Sequence, residues 1–239
     1  MHKNVEKMSI NYSPNFNLKK RIGSSIKYLI FHYTGMRSEK KAIYRLINKN
    51  SGVSCHYLVK NNGEILKIVP DLYIAWHAGI SSWKKDNLLN SKSIGIEISN
   101  PGHEHGYKNF NRNQILSIIS LSKKLKKKYK IKKENILGHS DIAPLRKKDP
   151  GEKFPWKLLH KKKISLWHNL NNKNCKKLRN IKLIDRKNFY ELLFKFGYKS
   201  SKNPSDRIKI FKNFQRRFRP QLISSIVDQE SYAILKSLI

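Results

Sequence analysis

The segment SIGIEISN, residues 93–100, sets isoleucines at 94, 96 and 98 on one side and Gly95, Glu97 and Ser99 on the other. A two-residue period of this kind specifies a strand with a buried apolar face. A carboxylate in the middle of such a strand is uncommon, so Glu97 must be paired, protonated or functional. In a chain this rich in lysine, a salt bridge is the simplest partner for it. Upstream, IKYLIFHY at 26–33 also alternates, with Ile26, Tyr28, Ile30 and His32 opposite Leu29, Phe31 and Tyr33, and this second strand ends close to a histidine.

Other elements follow by the same reasoning. VSCHYLVK at 53–60 reads as a strand, and the Asn61-Asn62-Gly63 turn leads into EILKIVP as its hairpin partner. Ser38 is placed to cap a helix carrying Ile43, Leu46 and Ile47 on one side, and Ile115, Ile118, Ile119 and Leu125 fall at helical spacing before the run KKLKKKYKIKK. After Trp167 the polar, aperiodic NLNNKNCKKLRN reads as a linker. Beyond it come three amphipathic helices. Phe189, Leu192, Leu193 and Phe196 mark the first, and Ile208, Phe211, Phe214 and Phe218 the second, capped by Ser205 or Asp206. Tyr232, Leu235 and Ile239 mark the third, capped by Asp228, which together suggests a small bundle of its own.

Composition bounds the function. Fifty-one Lys and Arg against 16 Asp and Glu leave a formal charge of +35, which would attract a polyanion such as nucleic acid, an anionic membrane surface or an acidic envelope polymer. The lysines are spread over helix faces and loops, and that pattern fits a chain-wide bias better than a dedicated nucleic-acid surface. A hydrophobic fraction of 38% is enough for a real core, so a folded chain is expected despite the charge. Cys55 and Cys175 stand far apart without a CxxC pattern, which indicates neither a disulfide framework nor a thiolate zinc site. MHKNVEKMSINYSPNFNLKK lacks the apolar run of a signal peptide, and no later segment is long and apolar enough to span a bilayer. At face value the chain is cytoplasmic; the periplasm or cell envelope is the alternative.

His32, His139 and Asp149 offer two imidazoles and a carboxylate, a set chemically sufficient for zinc with a fourth position left for water. Nine histidines and many acids would yield some such triplet in any case. Glu97 beside a zinc-bound water would be placed to take its proton, and Lys147, two residues before Asp149, to face an oxyanion. Lys147 can equally be one more solvated lysine.

Four stretches then act together: FHYTG at 31–35, WHAG at 76–79, SIGIEISNPG at 93–102 and GHSDIAPLRKKDPGEKFPW at 138–156. In order and spacing they resemble the zinc-dependent N-acetylmuramoyl-L-alanine amidases of type 2, over about residues 20–168. The resemblance implies an α/β fold, a central mixed β-sheet flanked by helices, with one Zn2+ bound by His32, His139 and Asp149. It makes Glu97 the catalytic acid/base, Lys147 the oxyanion partner and Arg146 the residue that meets a stem-peptide carboxylate, with Trp76, His77 and Asn100 as further substrate contacts. Asp149 as third ligand resembles the bacterial turnover and recycling branch, in contrast to phage and animal relatives with cysteine there.

FKNFQRRFRP and VDQESYAILKSL resemble a three-helix peptidoglycan-binding module whose middle helix carries a Phe-Gln pair, here Phe214 and Gln215, although the usual glycine before Asp228 is missing. The implied organisation is an N-terminal extension at 1–19, a catalytic domain at 20–168, a linker at 169–182 and a binding-like helical domain at 183–239. The implied activity is hydrolysis of the amide between N-acetylmuramic acid, or its anhydro form, and L-alanine, in cell-wall turnover or recycling. Peptidoglycan or muropeptides are the expected partners, with no specific nucleic acid and a monomeric chain. A non-catalytic wall-binding protein and a basic nucleic-acid-binding protein are the two other classes to be separated.

Overall fold

The alternating apolar segments become the strands of one sheet because each must bury a face against helices. In this computed structural model, which describes residues 8–239, the strands in chain order are β1 (Met8–Ile10), β2 (Phe16–Asn17), β3 (Tyr28–Tyr33), β4 (Tyr57–Val59), β5 (Ile65–Lys67), β6 (Ile74–Ala75), β7 (Ser82–Trp83), β8 (Asp86–Asn87), β9 (Ser93–Ile98) and β10 (Ile136–Gly138). The α-helices are α1 (Glu39–Ile47), α2 (Arg112–Tyr129), α3 (His139–Ile142), α4 (Trp156–Lys161), α5 (Asn172–Leu178), α6 (Arg186–Phe196), α7 (Pro204–Phe218) and α8 (Gln229–Leu238).

The central sheet runs β1-β5-β4-β9-β3-β10 and is mixed: β4 and β5 pair antiparallel as the expected hairpin, and the other neighbours pair parallel. Leu58 lies in a cluster with Leu46 of α1, while its chain neighbours Tyr57 and Val59 lie in a second cluster with Ile118, Leu121 and Leu125 of α2. Because adjacent strand residues point to opposite faces, α1 and α2 cover opposite sides of the sheet. Ser38 caps α1 through Lys41 N–H as expected, and Asn111 and Gln114 form a reciprocal cap on α2.

Four expectations are corrected. Part of the N-terminal extension joins the sheet, since β1 pairs with β5; residues 1–7 of it lie outside the described residues. The segment expected to be a linker contains α5, which Asn171 caps and which turns Cys175 inward. A helix of seven residues is too short to show a readable period. The three C-terminal helices form no separate core: Phe211, Phe214 and Phe218 belong to the same cluster as Phe31, Trp83 and Trp156. The cap of α7 is Asn203 instead of Ser205 or Asp206, because Pro204 takes the first helical position. Asp228 caps α8 as expected, through Ser231 N–H. Both cysteines are free, and among the described residues no helix is long and apolar enough to cross a membrane.

Candidate active site

Strand pairing puts the chemistry together. His32 of β3 stands opposite Glu97 of β9 in the parallel ladder, so the two side chains emerge side by side on the α1 face. β10 runs parallel to β3 with Gly138 opposite Phe31, which delivers His139 beside His32 at the start of α3. From there IAPLRKKDP loops out and back, closed by Ser140 N–H donating to the Asp149 carbonyl at 2.8 Å. Asn213 of α7 ties this loop from behind, donating to the carbonyls of Pro144 at 2.7 Å and Lys147 at 3.0 Å.

The result is a convergence of three donors. His32 Nδ1 lies 3.0 Å from His139 Nδ1 and 3.1 Å from Asp149 Oδ2, and His139 Nδ1 lies 3.0 Å from that same oxygen. All three residues are buried. Burial and the neighbouring His139 push His32 down to about 4, so its imidazole is neutral at pH 7. Burial alone would raise Asp149, but His139 and His32 outweigh it and hold the carboxylate ionised far below its ordinary range. Two imidazole lone pairs and a carboxylate oxygen facing one point repel unless a cation or a shared proton sits between them, and this N/N/O set suits zinc. The donor set therefore fits the expected metal.

Glu97 faces this point without a partner. Among the described residues no salt bridge to lysine forms, and its buried Oε2 has no hydrogen-bond partner. Burial, then the nearby Asp149 charge, raise it to about 8 against the opposing pull of Lys147 and Arg45. Lys147 is half-buried and lines the same cavity, of about 440 Å3, as Glu97, His139, Arg45 and Trp76.

The other expected residues divide. Trp76 stands at the rim, 37% exposed, with its indole N–H donating to Asn17 at 2.6 Å. Arg146 is on the cavity wall, where its guanidinium donates to the carbonyls of Ala78 and Ile80. Gly79, at φ +56°, lets that loop wrap closely around the arginine. Asn100 is corrected, and His77 lines the cavity with both ring nitrogens already engaged. His77 is buried behind His32, with one ring nitrogen 3.0 Å from His32 Nε2 and the other 3.1 Å from Ser93 Oγ. Asn100 is 2% exposed and consumed by its own loop, donating to the Lys108 carbonyl and accepting from Gly102 N–H. Sequence reasoning missed Ser93, Gly95 and Asn90, which hold His77. The signal for Ser93 and Gly95 was the small, polar face of SIGIEISN, and Asn90 before it carried none.

Comparison with known proteins matches this geometry. Residues 22–152 match the N-acetylmuramoyl-L-alanine amidase family model. AmiD of Escherichia coli (strain K12) is 36% identical over 230 residues, spanning 90% of this chain and 82% of that protein. The 1,6-anhydro-N-acetylmuramyl-L-alanine amidase AmpD of Haemophilus influenzae is 39% identical over 105 residues, 44% of this chain and 55% of that one. The structure of AmiD from E. coli with the substrate anhydro-N-acetylmuramic acid-L-Ala-D-gamma-Glu-L-Lys aligns at a TM-score of 0.81 and 34% identity, covering 93% of this chain and 91% of that one. That of AmpDh3 from Pseudomonas aeruginosa aligns at 0.80 and 28%, covering 94% and 95%. The mixed sheet with flanking helices expected from sequence is the fold these structures share. This chain belongs to the N-acetylmuramoyl-L-alanine amidase family.

Proposed function

We propose that this amidase holds one zinc ion through His32, His139 and Asp149 and hydrolyses the amide between the lactyl group of N-acetylmuramic acid, or its anhydro form, and L-alanine in muropeptides. The observation that carries the reading is Glu97: an unpaired carboxylate, opposite His32 in the sheet, facing three converging donor atoms. Solved complexes of AmiD with an anhydro-muramic tripeptide and of AmpDh3 with anhydromuramic pentapeptide support this substrate class.

Zinc at this site would act as a Lewis acid and acidify a bound water. Glu97 accepts the proton of the attacking water, a role its raised affinity for protons suits, and returns that proton to the departing alanine nitrogen. The Lys147 ammonium, close enough to perturb both Glu97 and His32, faces the charge that develops on the carbonyl oxygen. Arg146, held against the Ala78 and Ile80 carbonyls, places a fixed positive charge on the wall where a stem-peptide carboxylate would lie. Trp76 offers an apolar surface at the rim. No covalent bond to the enzyme is needed.

Residues 20–168 form the catalytic part in this reading, and 183–239 the peptidoglycan-binding-like part. Phe214 and Gln215 of that part are both fully buried, and Gln215 accepts from Ser224 N–H, so the pair supports the module's fold and leaves wall contact to other residues. Glu97→Ala is expected to keep one zinc per chain by elemental analysis while losing nearly all muropeptide hydrolysis. Ordinary turnover by that variant would remove Glu97 from the mechanism.

A further inference from the structure

The two imidazoles facing Asp149 present the same nitrogen, Nδ1, and the groups behind them account for it. Ser93 has one hydroxyl proton, and at 2.6 Å it donates to the Leu89 carbonyl, which can only accept. The Ser93 oxygen, 3.1 Å from His77 Nε2, must then accept from His77 Nε2–H. The partners of the His77 ring nitrogens are Ser93 and His32, with no carboxylate to hold a second proton, so the ring is a neutral imidazole and its other nitrogen, Nδ1, carries a lone pair. That lone pair, 3.0 Å from His32 Nε2, accepts the His32 Nε2 proton and leaves His32 Nδ1 bare toward His139 and Asp149. His139 is set more directly: its Nε2 lies 3.2 Å from the Ala78 carbonyl, an obligatory acceptor.

Adjacent residues thus serve the two histidines, His77 by its ring and Ala78 by its carbonyl. Asn90 fixes that pair from the far side, its Oδ1 accepting from His77 N–H at 3.1 Å and Ala78 N–H at 2.7 Å. Gly95 makes the room, since a Cβ there would overlap the His77 ring. The glycine in SIGIEISN and the histidine in WHAG are therefore two halves of one fitting.

We propose that His77, seated by Ser93, Gly95 and Asn90, is a positioning residue that fixes the tautomer and ring orientation of His32, so that its Nδ1 is directed to the metal. The proposal rests on the zinc reading above for its metal and on the hydrogen-bond directions for its geometry, and two measurements keep these apart. The first is zinc affinity of the full chain by competition with a chromogenic chelator. His77→Phe, which keeps a ring and removes the acceptor, is expected to weaken zinc about 10- to 100-fold, with Ser93→Ala weaker by a smaller factor and unchanged circular dichroism in both. Affinities within twofold of the parent protein for both variants would overturn it. The second is 15N NMR of the histidine rings in the metal-free parent protein. A proton on Nε2 of His77, with its Nδ1 bare, is expected, and a proton on Nδ1 of His77 would overturn the proposal even if the protein bound no zinc.

Discussion

Asp141 in α3 and Asp149 in the loop that follows it are both buried and do opposite work. Asp141 accepts from Gly138 N–H at 2.8 Å, from the Tyr198 hydroxyl at 2.6 Å and from the Arg217 guanidinium, so every direction around it is filled by protein. Asp149 lines the open cavity with its Oδ2 at 3.0–3.1 Å from two imidazole nitrogens, and Glu97 next to it has an oxygen with no partner among the described residues. A buried carboxylate with its partners complete holds a fold together, whereas one left facing lone pairs or nothing is available for chemistry. The satisfied carboxylate is also the hinge of the architecture. It joins the loop to Tyr198 and to Arg217 of α7, which also donates to the Ile136 carbonyl at 2.9 Å and lies over Trp156.

The comparison can be broken at either end. Asp149→Asn is expected to abolish both zinc retention and hydrolysis while leaving urea stability of the metal-free protein nearly unchanged; retained zinc at one per chain would refute its role. Asp141→Asn should do the reverse, costing about 3–5 kcal/mol in urea unfolding because Arg217 is left charged in the interior. Zinc should stay at one per chain in the folded fraction. Replacing both partners, Asp141→Leu with Arg217→Met, should recover much of that loss, and equal or greater destabilisation would argue against a simple ion pair.

Lys147→Ala sharpens the catalytic side. It is expected to lower kcat about 10^2- to 10^3-fold with little change in thermal stability, as loss of one oxyanion-facing group does. A change in KM alone would move Lys147 from the reacting oxygen to substrate binding. The smallest effect belongs to a structural acid remote from the loop. Burial raises Asp71, but hydrogen bonds from Lys128, Tyr129 and Tyr57 outweigh it and bring it to about 2. A carboxylate lowered from its ordinary 3.8 contributes stability in full above that pH and loses it as pH falls through about 2. The contribution is about 2 kcal/mol, and Asp71→Asn should flatten that part of the acid-unfolding curve.

How much was readable in advance follows from the range of the forces involved. β3, β9, the β4–β5 hairpin and the caps Ser38 and Asp228 are set by neighbours a few residues away, so periodicity and capping disclosed them. His32, Glu97, His139 and Asp149 were legible because each breaks a local pattern or sits in a motif, and the sheet register then brought them together. β2, β6, β7 and β8, two residues each, are too short to carry a period. Arg217 meets Asp141 across 76 residues and is lost among 51 basic side chains, so the union of the C-terminal helices with the catalytic loop left no local trace. Asn100 was assigned outward from a motif that, in three dimensions, turns it inward.

The most direct test is to incubate the purified protein with anhydro-N-acetylmuramyl tripeptide and identify the products by mass spectrometry, with and without a zinc chelator. The account predicts free stem peptide and free anhydro-muramic acid, abolished by the chelator and restored by added zinc. An intact substrate under all conditions, or the same products formed at full rate after chelation, would contradict it.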